Sequence, residues 1–145
     1  LKLLWRRVTQ RTFTPLCIVS WHMVGVEPPP SPRMTSEGVV IYEGLPHARK
    51  VLYGNILWDG ALALAKFFAW RESCVGAISV RSKVVLELGA GTGVVGLTLA
   101  RLGATAIVTD NEPEVVQLML RNIGANGLEA SVTAHLLDCT VSKGL

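Results

Sequence analysis

A glycine-rich segment constrains the fold of this chain more than any other feature. The sequence VVLELGAGTGVVGLTLARLG (84–103) places Gly89, Gly91, Gly93 and Gly96 between a short apolar run and a helical pattern. A simple strand-to-helix turn needs one glycine, whereas glycines at alternate positions permit a tight turn and let a ligand approach the backbone closely. The segment therefore predicts a strand, a ligand-binding loop and a helix in succession.

The alternation of strand and helix continues through the second half of the chain. Apolar runs at 83–89, 104–110 and 130–138 predict three strands, and helical patterns lie between them. This order predicts an α/β fold with a Rossmann-like parallel sheet, whose strands are joined by right-handed crossovers.

Helix boundaries are marked by cap residues. Gly103 is expected to end the first of these helices. The second helix is predicted to start at an Asn111 cap, with Pro113 in its first turn and Glu114 in the capping-box position. We expect it to stop at Asn126 and Gly127.

Upstream of the glycine segment, the pattern predicts a hairpin followed by a helix. The runs GVVIY (38–42) and RKVLY (49–53) flank a turn that contains Gly44 and Pro46, which favours pairing between the two runs. A helix is predicted over 61–71, with Asp59 as its N-cap.

The basic residues are concentrated at the N-terminus. The chain has a net charge of +3, yet residues 1 to 33 carry five basic residues against a single acid and lead into the Pro-rich EPPPSPR. We therefore predict a basic, disordered extension over 1–37 and a folded domain over 38–145. A mitochondrial transit peptide, an over-extended start with Met23 or Met34 as the true first residue, and a nucleic-acid arm are three interpretations of the extension. Interaction with nucleic acid is the least favoured, because its aromatic residues do not alternate regularly with the basic ones.

Composition indicates one domain with a hydrophobic core. Of the 145 residues, 50% are hydrophobic, and no apolar run reaches the roughly 18 residues of a membrane span. Cys17, Cys74 and Cys139 form neither a disulfide framework nor a metal-binding cluster, so no metal is expected. We expect a soluble protein of a reducing compartment, namely the cytoplasm, with the mitochondrion as the alternative.

The positions of the glycines relative to the strand indicate which kind of nucleotide the loop binds. GTGVVG (91–96) matches the dinucleotide fingerprint GxGxxG. In that fingerprint, however, the first glycine directly follows the strand; here that glycine is Gly89, and valine occupies position 94, where the third glycine would fall.

Two acidic residues add to this argument. Glu87 lies two residues before Gly89, where a carboxylate would repel a pyrophosphate and attract an amino group or a sulfonium. Asp110 ends the second strand, where a carboxylate can accept hydrogen bonds from both ribose hydroxyls of an adenosine, or serve as a turn residue. Asp110 therefore supports adenosine without choosing between cofactors.

These motifs resemble a family. VLELGAGTG and VTDNEPEVVQLMLRNIGAN are similar to the first two motifs of class I S-adenosylmethionine-dependent methyltransferases. GNILWDGALALAKFF (54–68) resembles the Trp-Asp helix of their seven-β-strand protein-lysine branch. The resemblance covers roughly residues 38 to 139.

The resemblance implies a set of cofactor-binding residues. Gly89, Ala90, Gly91 and Gly93 would bring backbone to the methionyl part of S-adenosylmethionine, with Glu87 nearby, and Asp110 would bind the ribose. Trp58 would contact the cofactor, unless it is a core residue. After the third strand the family has an acid and a Trp that lies against adenine. Asp138 and Cys139 stand there in this chain, and a thiol cannot supply the area of a stacked ring.

The resemblance implies methyl transfer to a protein lysine, and no catalytic base can be assigned. Methyl transfer to RNA or to a small molecule, a non-catalytic truncated product and an NAD-binding Rossmann protein are the alternatives. The family's sheet has four further strands, so we expect this chain to hold about three core strands and the N-terminal, cofactor-binding half of the domain. Because one edge of the strand at 83–89 would then be unpaired, we expect these residues alone to be marginally stable or prone to aggregate. The sequence does not predict an oligomeric state.

Overall fold

The computed structural model describes residues 31–44, 53–74 and 79–138. Its helices and strands occur in the order β1 (Arg33–Met34), β2 (Val40–Ile41), a 3-10 helix (Tyr53–Asn55), α1 (Asp59–Ser73), β3 (Val84–Glu87), α2 (Val94–Arg101), β4 (Thr105–Asp110), α3 (Pro113–Asn126) and β5 (Val132–Leu136). The three predicted strands of the second half and the helices between them are confirmed.

Strands β3, β4 and β5 form a parallel sheet in that order. Val84 lies opposite Thr105, and Ala106 lies opposite Val132. The sheet and its helices form the predicted Rossmann-like α/β fold. Because the strands are parallel, the carboxyl ends of β3 and β4 lie at one edge of the sheet, and this edge carries the glycine loop.

The hydrophobic core lies between one face of the sheet and the helices. Helix α2 is buried along almost its whole length, from Val94 to Ala100. It lies so close to β4 that a Cβ placed on Gly96 would overlap Cγ1 of Val108. Helix α1 packs beside α2, and α3 packs on β4 and β5.

The other face of the sheet is open in the described part of the chain. Side chains alternate between the two faces of a strand. Val85 packs against the core, whereas Val84 is 71% exposed and Leu86 is 60% exposed. No helix in the described ranges is long and apolar enough to cross a membrane.

The helix ends agree in part with the predicted caps. Gly103 follows α2 with a φ of +98°, and Gly127 ends α3 with a φ of +64°, so both predicted stops are confirmed. The predicted Asp59 cap is wrong. Trp58 occupies the N-cap position without a side-chain hydrogen bond, and Asp59 lies in the first turn, where its charge still complements the helix dipole.

The predicted Asn111 cap is also wrong. Glu112 is the N-cap residue of α3, so Glu114 stands one position earlier in the helix than a capping box requires. The carboxylate of Asp110 accepts a hydrogen bond from the Glu112 amide at 3.2 Å. This bond fixes the turn before the helix, and no side chain of the described residues caps the first-turn amides of α3.

The predicted hairpin pairs with a different segment. Strand β2 pairs antiparallel with β1, so that Met34 lies opposite Val40. The expected partner, 49–53, lies outside the described residues except for Tyr53, which begins the 3-10 helix. Strand β1 lies inside the extension predicted over 1–37, so regular structure begins before residue 38. The positively charged Arg33 pairs with Glu43 at 3.3 Å across this hairpin.

Candidate functional site

The glycine loop connects β3 to α2 through three left-handed glycines. Gly89, Gly91 and Gly93 have φ values of +62°, +56° and +80°. Residues with a Cβ rarely adopt this conformation, which explains the alternate spacing of the glycines. Gly91 also lies against another backbone segment. A Cβ added to it would be 3.1 Å from the carbonyl oxygen of Gly54.

Glu87 places its carboxylate beneath the first turns of α2. Its Oε2 accepts a hydrogen bond from the Gly96 amide at 2.7 Å. Burial raises the pKa of Glu87 to about 7, against the lowering effect of that hydrogen bond. No Cβ fits at Gly96, because it would lie 2.9 Å from the same Oε2 atom.

Asp110 links the end of β4 to the glycine loop. One of its carboxylate oxygens accepts a hydrogen bond from the Gly91 amide at 3.1 Å, and the other accepts the bond from Glu112. Asp110 is buried, so these two amides hold the carboxylate in a fixed orientation.

Trp58 lies at the surface and is not a core residue. It is 53% exposed, and its indole N–H donates a hydrogen bond to the Tyr53 carbonyl oxygen at 3.0 Å. The rings of Tyr53 and Trp58 are tilted, with centroids 6.3 Å apart. The alternative interpretation of Trp58 as a buried core residue is therefore wrong.

These elements surround one cavity of about 690 Å³ at the carboxyl edge of the sheet. Six of the predicted cofactor-binding residues line it: Trp58, Glu87, Gly89, Ala90, Gly91 and Asp110. Several other lining residues were not predicted from the sequence: Tyr53, Gly54, Thr92, Asn111 and Glu112. Asn111 and Glu112 directly follow Asp110, a proximity that could have identified them, whereas no sequence signal marks Tyr53 and Gly54.

Of the other predicted residues, Gly93 and Asp138 are not among the described residues that line the cavity. Gly93 is the N-cap of α2 and faces Cγ of Met119, which a Cβ would approach to 3.6 Å. Asp138 is an exposed residue after β5, and Cys139 lies outside the described residues. The histidine on β5, His135, is exposed and is not among the cavity residues. In the described ranges, no group of histidine, cysteine and acidic side chains could hold a metal ion.

The charges of the cavity are acidic. Asp110 and Glu112 line it, together with Glu87, whose pKa of about 7 leaves it partly ionised at neutral pH. None of the described lining residues is a lysine or arginine. A pyrophosphate would meet carboxylates without a basic partner, whereas a positively charged ligand would be attracted. The glycine loop and the carboxylates thus fit a nucleoside that carries positive charge beside its ribose.

Comparisons with known proteins identify the family of this chain. Residues 47–142 match the lysine methyltransferase family, so the chain belongs to that family. It is 35% identical over 97 residues to protein N-lysine methyltransferase METTL21A of Mus musculus, covering 67% of this chain and 39% of that protein. It is 34% identical to protein N-terminal and lysine N-methyltransferase EFM7 of Gibberella zeae, covering 80% of this chain and 44% of that protein.

A solved structure supports the fold. The crystal structure of PH0793 from Pyrococcus horikoshii, a protein assigned as a transferase, aligns with a TM-score of 0.55 at 18% identity. The alignment covers 85% of this chain and 47% of that chain. This chain therefore spans less than half the length of the relatives described here.

Proposed function

We propose that this chain forms the cofactor-binding part of a methyltransferase that transfers methyl from S-adenosylmethionine to a protein lysine. The observation that carries the proposal is the convergence of Glu87, the glycine loop and Asp110 on one acidic cavity. Membership of the lysine methyltransferase family supports the reaction class.

The residues present fit S-adenosylmethionine. Asp110 is held by two backbone amides and would accept hydrogen bonds from the ribose hydroxyls. Glu87 would face the positively charged methionyl end, and Gly89, Ala90 and Gly91 would let that end lie against the backbone. Trp58 would cover the cavity from its N-terminal side.

When bound, S-adenosylmethionine supplies a methyl group that is already activated by its sulfonium. The chain therefore has to orient the two reactants in line and exclude water, and the glycine loop and Trp58 would serve these tasks. A lysine acceptor, with an ordinary pKa of about 10.4, must also lose a proton before it attacks. We assign no residue of this chain to that step.

Calorimetric titration with S-adenosylhomocysteine tests the cofactor assignment. We expect saturable binding that Asp110→Ala abolishes, and no binding of NAD in a parallel titration. Asn111→Ala is the matched control, since it alters the next residue of the cavity without removing the ribose acceptor. Binding of NAD instead, or equal binding by the Asp110 variant, would contradict the assignment.

The acceptor is tested separately, with the protein in its full-length form. We expect transfer of a labelled methyl group to lysine-containing peptides whose N-termini are acetylated. Matched peptides with a free N-terminus and arginine in place of lysine would detect transfer to an α-amine, since the EFM7 relative is an N-terminal as well as a lysine N-methyltransferase. Transfer to RNA or to small amines alone would overturn the protein-lysine assignment.

A further inference from the structure

Asn122 on α3 binds two segments of the chain at once. Its Nδ2 donates hydrogen bonds to the Thr92 carbonyl oxygen at 2.9 Å and to the Tyr42 carbonyl oxygen at 3.1 Å. Its Oδ1 accepts a hydrogen bond from the Tyr42 amide at 2.9 Å. Asn122 is fully buried, so these bonds satisfy both donor hydrogens and the acceptor of a side chain that water cannot reach.

Asn126 makes a similar contact one turn later. Its Oδ1 accepts from the Val40 amide at 2.9 Å, and its Nδ2 donates to the Val40 carbonyl oxygen at 2.7 Å. Both asparagines thus bind the N-terminal segment through paired backbone hydrogen bonds. Within the described residues, Asn126 makes no hydrogen bond to the glycine loop; its Nδ2 donates instead to the Asn122 carbonyl oxygen at 2.7 Å, and its side chain is half-buried.

The contact made only by Asn122 reaches the centre of the glycine loop. Thr92 lies between Gly91 and Gly93, both in the left-handed conformation, and it is buried where it lines the cavity. Left-handed glycines leave a loop many alternative conformations. A fixed carbonyl between two of them selects one of these conformations.

The segment held by Asn122 also leads to the other wall of the cavity. Beyond Tyr42, Glu43 accepts a hydrogen bond from the Leu57 amide at 2.7 Å, next to Trp58. The Gly44 amide donates to the Asn55 carbonyl oxygen at 2.9 Å. Asn122 therefore connects the glycine loop with the segment that supplies Tyr53 and Trp58.

We propose that Asn122 is a positioning residue of the cofactor site, which sets the glycine loop and the Trp58 wall at a fixed separation before ligand binds. The inference rests on the proposed function, because it concerns the same cavity. It predicts that loss of the Asn122 amide loosens the loop and weakens cofactor binding by more than loss of the Asn126 amide.

Amide hydrogen exchange and calorimetry on Asn122→Ala, with Asn126→Ala as the matched control, test this inference. In the absence of ligand, we expect the Gly91 and Gly93 amides of the Asn122 variant to exchange about tenfold faster, the effect of losing one buried hydrogen bond. The Asn126 variant should exchange at these amides within about twofold of wild type. Affinity for S-adenosylhomocysteine should likewise fall about tenfold in the Asn122 variant only.

A global loss of stability would speed the exchange of core amides in general, whereas loss of the Asn122–Thr92 hydrogen bond speeds exchange chiefly at the glycine loop. The rates at Gly91 and Gly93 are therefore compared with those of the β4 amides in the same variant. If Asn122→Ala does not fold, Asn122→Ser, whose hydroxyl is too short to replace all three bonds, takes its place in the same comparison. Equal loop exchange and equal affinity in the two asparagine variants would overturn the inference. Absence of S-adenosylhomocysteine binding by wild type would instead overturn the proposed function, while the exchange rates would still decide the role of Asn122.

Discussion

Gly96 shows how a single residue allows the site to form. It is the one glycine of the segment that lies inside a helix, and its missing side chain leaves room for Val108 on one side and the Glu87 carboxylate on the other. Its amide donates the hydrogen bond that Glu87 accepts. The close packing of α2 on the sheet and the placement of the buried carboxylate therefore depend on the same position.

Substitution of Gly96 by alanine is expected to destabilise the fold. The added methyl group would overlap Cγ1 of Val108, and such overpacking costs about 2 kcal/mol or more in the free energy of unfolding. Gly124→Ala in α3 is the matched control, since its Cβ would meet nothing nearer than 3.7 Å and should stabilise the helix by about 0.5–1 kcal/mol. Urea unfolding measures both; similar values for the two variants would refute the packing argument.

Glu87 is expected to make stability depend on pH. Its pKa is raised from 4.5 to about 7 in the folded chain, so the folded state holds a proton that the unfolded state releases between these values. Glu87 therefore contributes its full share to the free energy of unfolding below pH 4.5. This contribution falls by roughly 3 kcal/mol as the pH rises from 4.5 to 7.

Glu87→Gln isolates this contribution from the other carboxylates. Glutamine keeps an oxygen that can accept the Gly96 hydrogen bond but does not titrate. We expect the difference in unfolding free energy between wild type and this variant to change by that amount between pH 4.5 and 7. A difference that stays constant over this range would show that Glu87 titrates normally.

Secondary-structure elements were predictable where local sequence decides them. The apolar runs of β3, β4 and β5 and the glycines that end α2 and α3 gave correct elements, because burial and left-handed glycines are local requirements. The partner of β2 is β1, whose two residues are too few to show an alternating pattern. The site residues Tyr53 and Gly54 are placed by packing of Gly54 against Val115 and Gly91. Such long-range contacts leave no periodic pattern in the sequence.

The start of α3 provides a prediction at the scale of an element. Asp110→Ala should lower the free energy of unfolding by about 1–2 kcal/mol, because two backbone amides, of Gly91 and Glu112, lose their acceptor. Asn111→Ala should change it by less than about 0.5 kcal/mol, since Asn111 does not cap the helix. Thermal unfolding of the two variants measures both changes. A larger loss of stability in Asn111→Ala than in Asp110→Ala would indicate that Asn111 caps the helix, as the sequence predicted.

At the scale of the whole molecule, the sheet is covered on one side only in the described residues. Parallel sheets are normally buried on both faces. Here the helices pack against the face that carries Val85, Ala106 and Val108, while Val84 and Leu86 on the opposite face remain largely exposed. Strand β3 also has no described partner along its outer edge. An uncovered apolar face beside an unpaired strand edge favours association between molecules.

Leu86→Lys tests whether this face governs self-association. A lysine there would place a charge on the open face and beside the free edge, so we expect light scattering on concentration to fall while the far-ultraviolet circular dichroism stays unchanged. Leu120→Lys is the matched control, because Leu120 is also exposed but lies on α3, away from the sheet face. If both variants suppress scattering equally, added net charge explains the effect. A cooperative, reversible melt of monomeric wild type would show that the open face does not limit the stability of this chain.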